Sequence, residues 1–459
     1  MATAPITVGG LATGLDTNGI ITQLVALERR PLDALSAQRD TMAARQTALQ
    51  TFNTKILAFL TAVDTVRDGS DVIGHSATSS DETVLTAKAT SGAAVGTTDI
   101  TVLDLARGAI ATSANGKGSA TATVAAGTGS FVFKVGSGDN QTVAIDATTT
   151  LQGLANAING KDAGVSASVV NAGTAAAPDY RLRIASTDTG TSHDITIVTD
   201  DTNLGVAVTQ AAANARFTVT GFADPLVREH NTFDDVIPGV TLSLVGKGGP
   251  TTVAVSTDVA AATANVQKVV DAFNDVVNFV ASQSQVTQDT SSIDHSVAAG
   301  PLAFDGTVRT ILSSLHSVVS GAVSGLESGY TVLSQVGITT QRDGTLAFDT
   351  AKFTTAVTAD PGAVATLFGG AGAVGGVADR VHDFLTVLTR SGGLIDIDAK
   401  SVTDQITNID DQLAAGQRHL DDFEANLRAT YTNLELLVNN LQAQGSYLTA
   451  LTNLGGRNG

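Results

Sequence analysis

Residues 402–454, VTDQITNIDDQLAAGQRHLDDFEANLRATYTNLELLVNNLQAQGSYLTALTNL, decide the architecture of this chain. Written as heptads, the first core position holds Ile406, Leu413, Leu420, Leu427, Leu434, Leu441 and Leu448, apolar at every turn. The second core position is mixed: Ile409, Phe423, Leu437 and Leu451 are apolar, whereas Gly416, Thr430 and Gln444 are not. No proline interrupts the stretch, so the pattern predicts one unbroken rod of roughly 80 Å at 1.5 Å per residue. A seam that repeats every seven residues needs a partner helix, because a lone rod leaves its leucine stripe in water. The plainer reading, a long helix inside an ordinary bundle, fits poorly with usual helix lengths.

A second seam near the start of the chain supplies the partner. Asp16 or Thr17 can cap a helix through Ile20, Ile21, Leu24 and Leu27, which Pro31 is expected to interrupt. Beyond Pro31, Leu35, Met42, Leu49, Ile56 and Val63 hold one core position, and Phe52, Phe59 and Val66 hold the other. Residues 16–67 carry six basic and five acidic side chains, whereas residues 402–454 carry two and seven, so the two strips pair better than two acidic ones. Both ends of the chain therefore return to one stem. Residues 1–17, rich in Gly, Thr and Ala, are expected to be disordered in the free monomer.

The middle has another texture. From Ser76 to about Ser256, alternating Thr-, Val- and Ala-rich runs predict strands at 83–87, 99–103, 131–135, 142–145, 180–184, 217–220 and 240–244. Gly127-Thr128-Gly129 and Gly136-Ser137-Gly138 mark turns. One helix is expected at 151–158, stopped by Asn159-Gly160. Helical spacing returns from Val259 to Val280, at 307–319, at 362–367 behind Asp360-Pro361, and at 377–388. A flexible polar link is expected at 282–296, and Gly-rich connections lead to Phe353. The fold class is thus α+β and multidomain: a helical coiled-coil stem made by both chain ends, with inserted antiparallel β-rich heads. The expected division is a terminal leg (1–35 and 415–459), a helical stem (36–75 and 256–414), an inner head (76–112 and 214–255) and an outer head (113–213).

Composition excludes several functions. A formal charge of −18 argues against nucleic acid and against an anionic membrane surface. There is no cysteine, so disulfides, thiolate metal sites and a cysteine nucleophile are ruled out. No apolar run reaches the length of a membrane span, and the first residues lack the pattern of a cleaved secretory signal. The histidines are scattered without metal-binding spacing, so no metal ligand is expected. Gly9-Gly10 to Gly14 mimics a phosphate loop, but Leu15-Asp16 stands where its lysine would be needed. The carboxylate pairs Asp234-Asp235, Asp410-Asp411 and Asp421-Asp422 are the metal or acid/base candidates, but the second and third splay over a solvated helix face, and Asp396 with Asp398 lacks the rest of a calcium loop. No catalytic constellation and no cofactor site is visible, so an enzyme is not expected.

Ordered short motifs add a resemblance. Residues 10–35, GLATGLDTNGIITQLVALERRPLDAL, resemble the N-terminal signature of the flagellar filament cap (hook-associated protein 2) family. Asp235 to Leu244, Val255 to Asp258, Phe273-Asn274, Gly300-Pro301-Leu302, Val336 to Thr339, Asp343 to Leu346, Asp349, Asp360-Pro361 with Leu367-Phe368, Tyr431 and Ser446-Tyr447-Leu448 follow that family in order. Ile158-Asn159 with Gly164 to Ala167 is similar to the motif shared by flagellins and hook-associated proteins. Residues 113–213 match least.

The resemblance implies a ring of identical subunits, most often a pentamer, at the distal end of the flagellar filament. Its heads would form a plate and its stems legs, retaining exported flagellin and helping it fold and insert. It further implies an extracellular tip location, export by the flagellar type III route, and an export chaperone before secretion. A filament or subunit interface is expected at Leu11, Leu15, Ile20, Leu24, Leu427, Leu434, Leu441 and Leu448, with Leu49, Ile56 and the middle of the rod as core. Residues 1 to about 35 and about 415 to 459 are expected to order only on the filament. The competing class is a surface adhesin whose β heads grip host mucin or glycan.

Overall fold

A computed structural model of the chain describes residues 14–288, 297–326 and 329–455. The helices are α1 (Thr17–Asp64), α2 (Gly69–Val72), α3 (Leu151–Asn159), α4 (Val259–Gln283), α5 (Gly306–Ser320), α6 (Thr350–Ala359), α7 (Pro361–Gly369), α8 (Val377–Thr389) and α9 (Leu394–Gly455). Two compact units result. One holds residues 1–67, 265–353 and 366–459; the other holds 68–264 and 354–365.

The first unit is helical. At 48 and 62 residues, α1 and α9 are each far longer than the usual globular helix. Asp16 caps α1, its carboxylate accepting from the Gly19 amide at 2.9 Å. The inner half of α1 and the turn after it supply the core: Leu49, Phe52, Ile56, Phe59 and Val63, then Val66, are all essentially inaccessible to water. Phe59 meets Phe273 of α4 edge-on at 5.7 Å, and Phe273 meets His316 of α5 in the same way. Asn274 then uses both ends of its amide on Leu346, donating to the carbonyl at 2.9 Å and accepting from the amide at 2.7 Å. The Phe-Asn pair in the sequence is thereby a packing residue followed by a backbone clamp.

Three expectations change in this unit. Pro31 does not interrupt α1, which runs through it. Proline removes one backbone donor and costs about 3 kcal/mol in a helix interior; here its neighbour Leu32 is anchored on α9, and the flanking turns carry the helix through. The polar stretch after α4 contains a strand, β16 (Val286–Gln288), paired antiparallel with β17 (Val297–Ala299). The Gly-rich connections contain β18 (Ile338–Thr340), β19 (Leu346–Phe348) and then α6, which weak apolar spacing hides in the sequence. Asp349 caps α6 through the Lys352 amide. Gly337 enters β18 at φ +94, where a Cβ would stand 2.6 Å from the Asp349 carbonyl oxygen, so the position needs glycine.

The second unit carries the β structure: β1 (His75–Ser79), β2 (Leu85–Ala89), β3 (Gly96–Asp104), β4 (Ile110–Ser113), β5 (Gly129–Val135), β6 (Gln141–Ile145), β7 (Val165–Asn171), β8 (Tyr180–Ser186), β9 (Ile195–Asp200), β10 (Val206–Gln210), β11 (Ala215–Val219), β12 (Leu226–Arg228), β13 (Thr232–Ile237), β14 (Val240–Leu244) and β15 (Gly248–Thr257). Every strand pair among the described residues is antiparallel. Sheet β1-β15-β3-β11-β12 and sheet β13-β14-β2 enclose one core, with Ile100, Phe217, Leu242 and Val253 at its centre. Sheets β10-β4-β8-β7 and β6-β5-β9, with α3, enclose another around Phe131, Phe133, Leu154 and Ile184. Strands alternate because one face of each sheet is buried, which is why a period of two was visible in the sequence.

Helix α3 ends where expected but not as expected. Gly160 is right-handed (φ −67), and the left-handed residues are Asp162 and Gly164. Asn159 fixes the following strand, donating to the Ala167 carbonyl at 2.8 Å and accepting from its amide at 2.6 Å.

Candidate functional site

The two terminal helices lie antiparallel, and their cross-contacts share one register. Gln46 reaches Thr403 at 2.8 Å, Arg39 reaches Asp410 at 3.1 Å, Leu32 covers Gly416, and Glu28 lies 4.0 Å from His419. A residue on α1 thus faces one whose number makes a sum close to 448. At Gly416 a Cβ would stand 2.2 Å from the Leu32 Cδ2, so the missing side chain in the second core position is a hole that receives a leucine knob. The exposed ion pair Arg39–Asp410 contributes little by itself but fits this register.

Burial falls off along the pair. Val402, Ile409 and Leu420 are buried, and Leu427 is half-buried. Leu434 is 40% exposed, Leu441 57% and Leu448 62%. On α1 the same trend holds: Ile21 is buried, Ile20 half-buried, and Leu24, Leu27 and Leu15 are exposed. Leu11, with the rest of residues 1–13, lies outside the described residues. Leu436, Leu437 and Tyr447 belong to the same exposed stretch and were not singled out as contact residues from the sequence. Tyr447 and Leu436 fall outside the strict heptad seam, so the seven-residue repeat gives no signal for them.

Such an end is suited to binding and not to bond-making chemistry. A partly exposed leucine gains about 1 kcal/mol when a partner covers the remaining half of its side chain. Leu434, Leu437 and Leu441 repeat at helical spacing, so the natural partner is another amphipathic helix or groove. The paired aspartates do not converge: Asp410 faces Arg39, while Asp411, Asp421 and Asp422 are solvated. Asp235 is held by Arg228 at 2.8 Å, which keeps its carboxyl below the ordinary range through a hydrogen bond. Asp396 accepts from the Gly392 amide at the start of α9. Asp398, dismissed above as part of a calcium loop, is drawn inward to Arg45 and Asp305; partners so far apart in the chain give no local signal.

Comparison with known proteins is consistent along the chain. The family described as "Flagellar hook-associated protein 2 C-terminus" matches residues 212–443, the corresponding N-terminus family matches 13–109, and the "Flagellin hook IN motif" matches 130–188. Flagellar hook-associated protein 2 of Escherichia coli O157:H7 is 30% identical over 96% of both chains. The B-type flagellar hook-associated protein 2 of Pseudomonas aeruginosa is 29% identical over 96% of this chain and 97% of its own. Among solved structures, the crystal structure of the flagellar cap protein FliD D1-D2-D3 domains from Escherichia coli superposes with a TM-score of 0.62 at 27% identity, covering 78% of this chain and 99% of that one.

Proposed function

Because this chain belongs to the flagellar hook-associated protein 2 family, we infer that it is a structural filament cap, not an enzyme, acting with flagellin outside the cell at the filament tip. The observation that carries the mechanism is the burial gradient: the α1–α9 pair is anchored at its root and keeps its leucine face half in water at its far end. We read residues 1–35 and 415–459 as a leg, residues 36–75 and 256–414 as a stem, and residues 76–112 with 214–255 and 113–213 as inner and outer heads.

In this mechanism several identical copies, five by family resemblance, close into a ring whose heads cover the filament end. A closed ring satisfies every subunit interface and leaves no open edge to propagate. The legs dock through Leu24, Leu434 and Leu441 on the exposed filament end and tighten only when covered. Docking that is worth a few kcal/mol per leg is reversible, so the cap can release one leg as each flagellin inserts. Emerging flagellin is retained beneath the plate and folds there. Before export an intracellular chaperone covers the same leucine face, and a chain without thiols travels the flagellar export channel without risk of cross-linking.

The test is Leu441→Asp in the full chain. The heads and the stem core should stay folded, while cells lose filament growth and release flagellin monomers into the medium. Normal swimming with no released flagellin would show that the far end of the legs is not the docking surface.

A further inference from the structure

At the root of the leg, three helices meet on a charge cluster that is not neutral. Asp305 caps α5, accepting from the Val308 amide at 3.0 Å, and its side chain is 1% exposed. Arg45 of α1 donates to it twice, from Nε at 3.1 Å and from Nη2 at 2.8 Å. The same Nη2 donates to Asp398 of α9 at 2.9 Å. Two carboxylates thus draw on one guanidinium. The second oxygen of Asp398 is buried with no hydrogen-bond partner, while its first shares the Arg45 Nη2 with Asp305. The charged groups facing Asp398 are Arg45 from α1 and Asp305 from the α5 N-terminus; Asp396 of its own helix turns away to Gly392.

Fully ionised, this cluster carries one net negative charge largely removed from water, which proteins avoid by taking up a proton. We propose that Asp398 holds a proton beneath Arg45, making the root of the α1–α9 leg a latch that is tight at low pH and slackens as that proton leaves. Burial first, and the neighbouring Asp305 second, raise the Asp398 carboxyl above its ordinary 3.8, against the opposing pull of Arg45. A raised carboxyl binds its proton more tightly in the folded than in the unfolded chain. Its contribution is therefore fully present below the ordinary carboxylate value and is lost as pH rises through the raised one, opposite to the usual salt-bridged aspartate. Lower pH would hold the legs firm, and higher pH would loosen them where they leave the stem.

Hydrogen exchange of residues 394–409 in the full-length protein, corrected for intrinsic rates, tests this from about pH 4, just above the ordinary carboxylate value, to about pH 8. Protection in the native chain should fall by up to about tenfold per unit as pH rises from the ordinary carboxylate value toward the raised one, and level off above it. Asp398→Asn copies the protonated acid, keeping an oxygen for Arg45 and offering an N–H to Asp305, so its protection should stay at the acid level throughout. Asp305→Asn keeps the cap oxygen and removes the second carboxylate, and should also flatten the profile. Native protection that is constant or rises over this range overturns the proposal, as does an unchanged fall in both variants.

Discussion

Leu32 seated over Gly416 is the contact that fixes the leg's register, and a double-mutant cycle can weigh it. Two opposing effects act at position 416. Gly→Ala in a helix interior gains about 1 kcal/mol from backbone entropy. Against this, the new Cβ would stand 2.2 Å from the Leu32 Cδ2, and overpacking of this kind costs about 1–3 kcal/mol unless the leucine swings away. Gly416→Ala alone is therefore expected to be neutral or destabilising by up to about 2 kcal/mol. In a Leu32→Ala background the obstruction is gone, and the same substitution should stabilise by about 1 kcal/mol. The coupling between the two sites is then about 1–3 kcal/mol, well above the few tenths seen for distant sites. Native-state hydrogen exchange of residues 409–420 reads it directly, since those amides open with the leg. If Gly416→Ala stabilises equally in both backgrounds, the sites do not touch and the register is wrong.

Other outcomes follow from the same packing. Phe52→Ala removes a fully buried ring from the stem core and should destabilise the helical unit by about 3–5 kcal/mol in urea unfolding. Asn159→Ala deletes both bonds to Ala167 and should lower the outer head's unfolding free energy by about 2 kcal/mol while the helical unit is unaffected. Leu420→Asp buries a charge in the leg and should abolish protection there, whereas Leu441→Asp, at an exposed site, should leave protection intact and act only on capping. Arg228→Gln should return Asp235 to the ordinary carboxylate range. In the native chain that pair's contribution is present above the ordinary value and is lost as pH falls through the lowered one, which a carboxyl NMR titration follows.

Much of the fold could be read along the chain because its information is periodic. The seven-residue spacing from Ile406 to Leu448, and from Leu35 to Val63, reports helices with one buried face, and the inner seam residues Leu49, Ile56 and Leu420 are indeed core. Strands such as Val240–Leu244 showed because one face is dry. What stayed hidden depends on distant partners. Gly416 looks like a defect in the seam until Leu32 fills it. Asp398 looks like a surface charge until Arg45 and Asp305, from two other helices, close on it. Pro31 looks like a break because local propensity weighs its cost without the packing of Leu32 beside it. The apolar far end of the leg was legible as a stripe, yet only its burial gradient distinguishes the part that is core from the part left in water.

The claim on which the rest stands is that the two ends of the chain form one antiparallel leg with its leucine face outermost. The chain has no cysteine, so spin labels can be placed on cysteines introduced at the exposed positions Gln23 and Ala425, which face each other in the register described. Helices packed side by side lie about 10 Å apart, so pulsed dipolar spectroscopy on the full-length protein should give a narrow distribution below roughly 25 Å, and a 23/400 pair, with the label at the exposed Lys400, should lie about 40 Å apart. A long or broad distance for 23/425, no different from that for 23/400, would contradict the account.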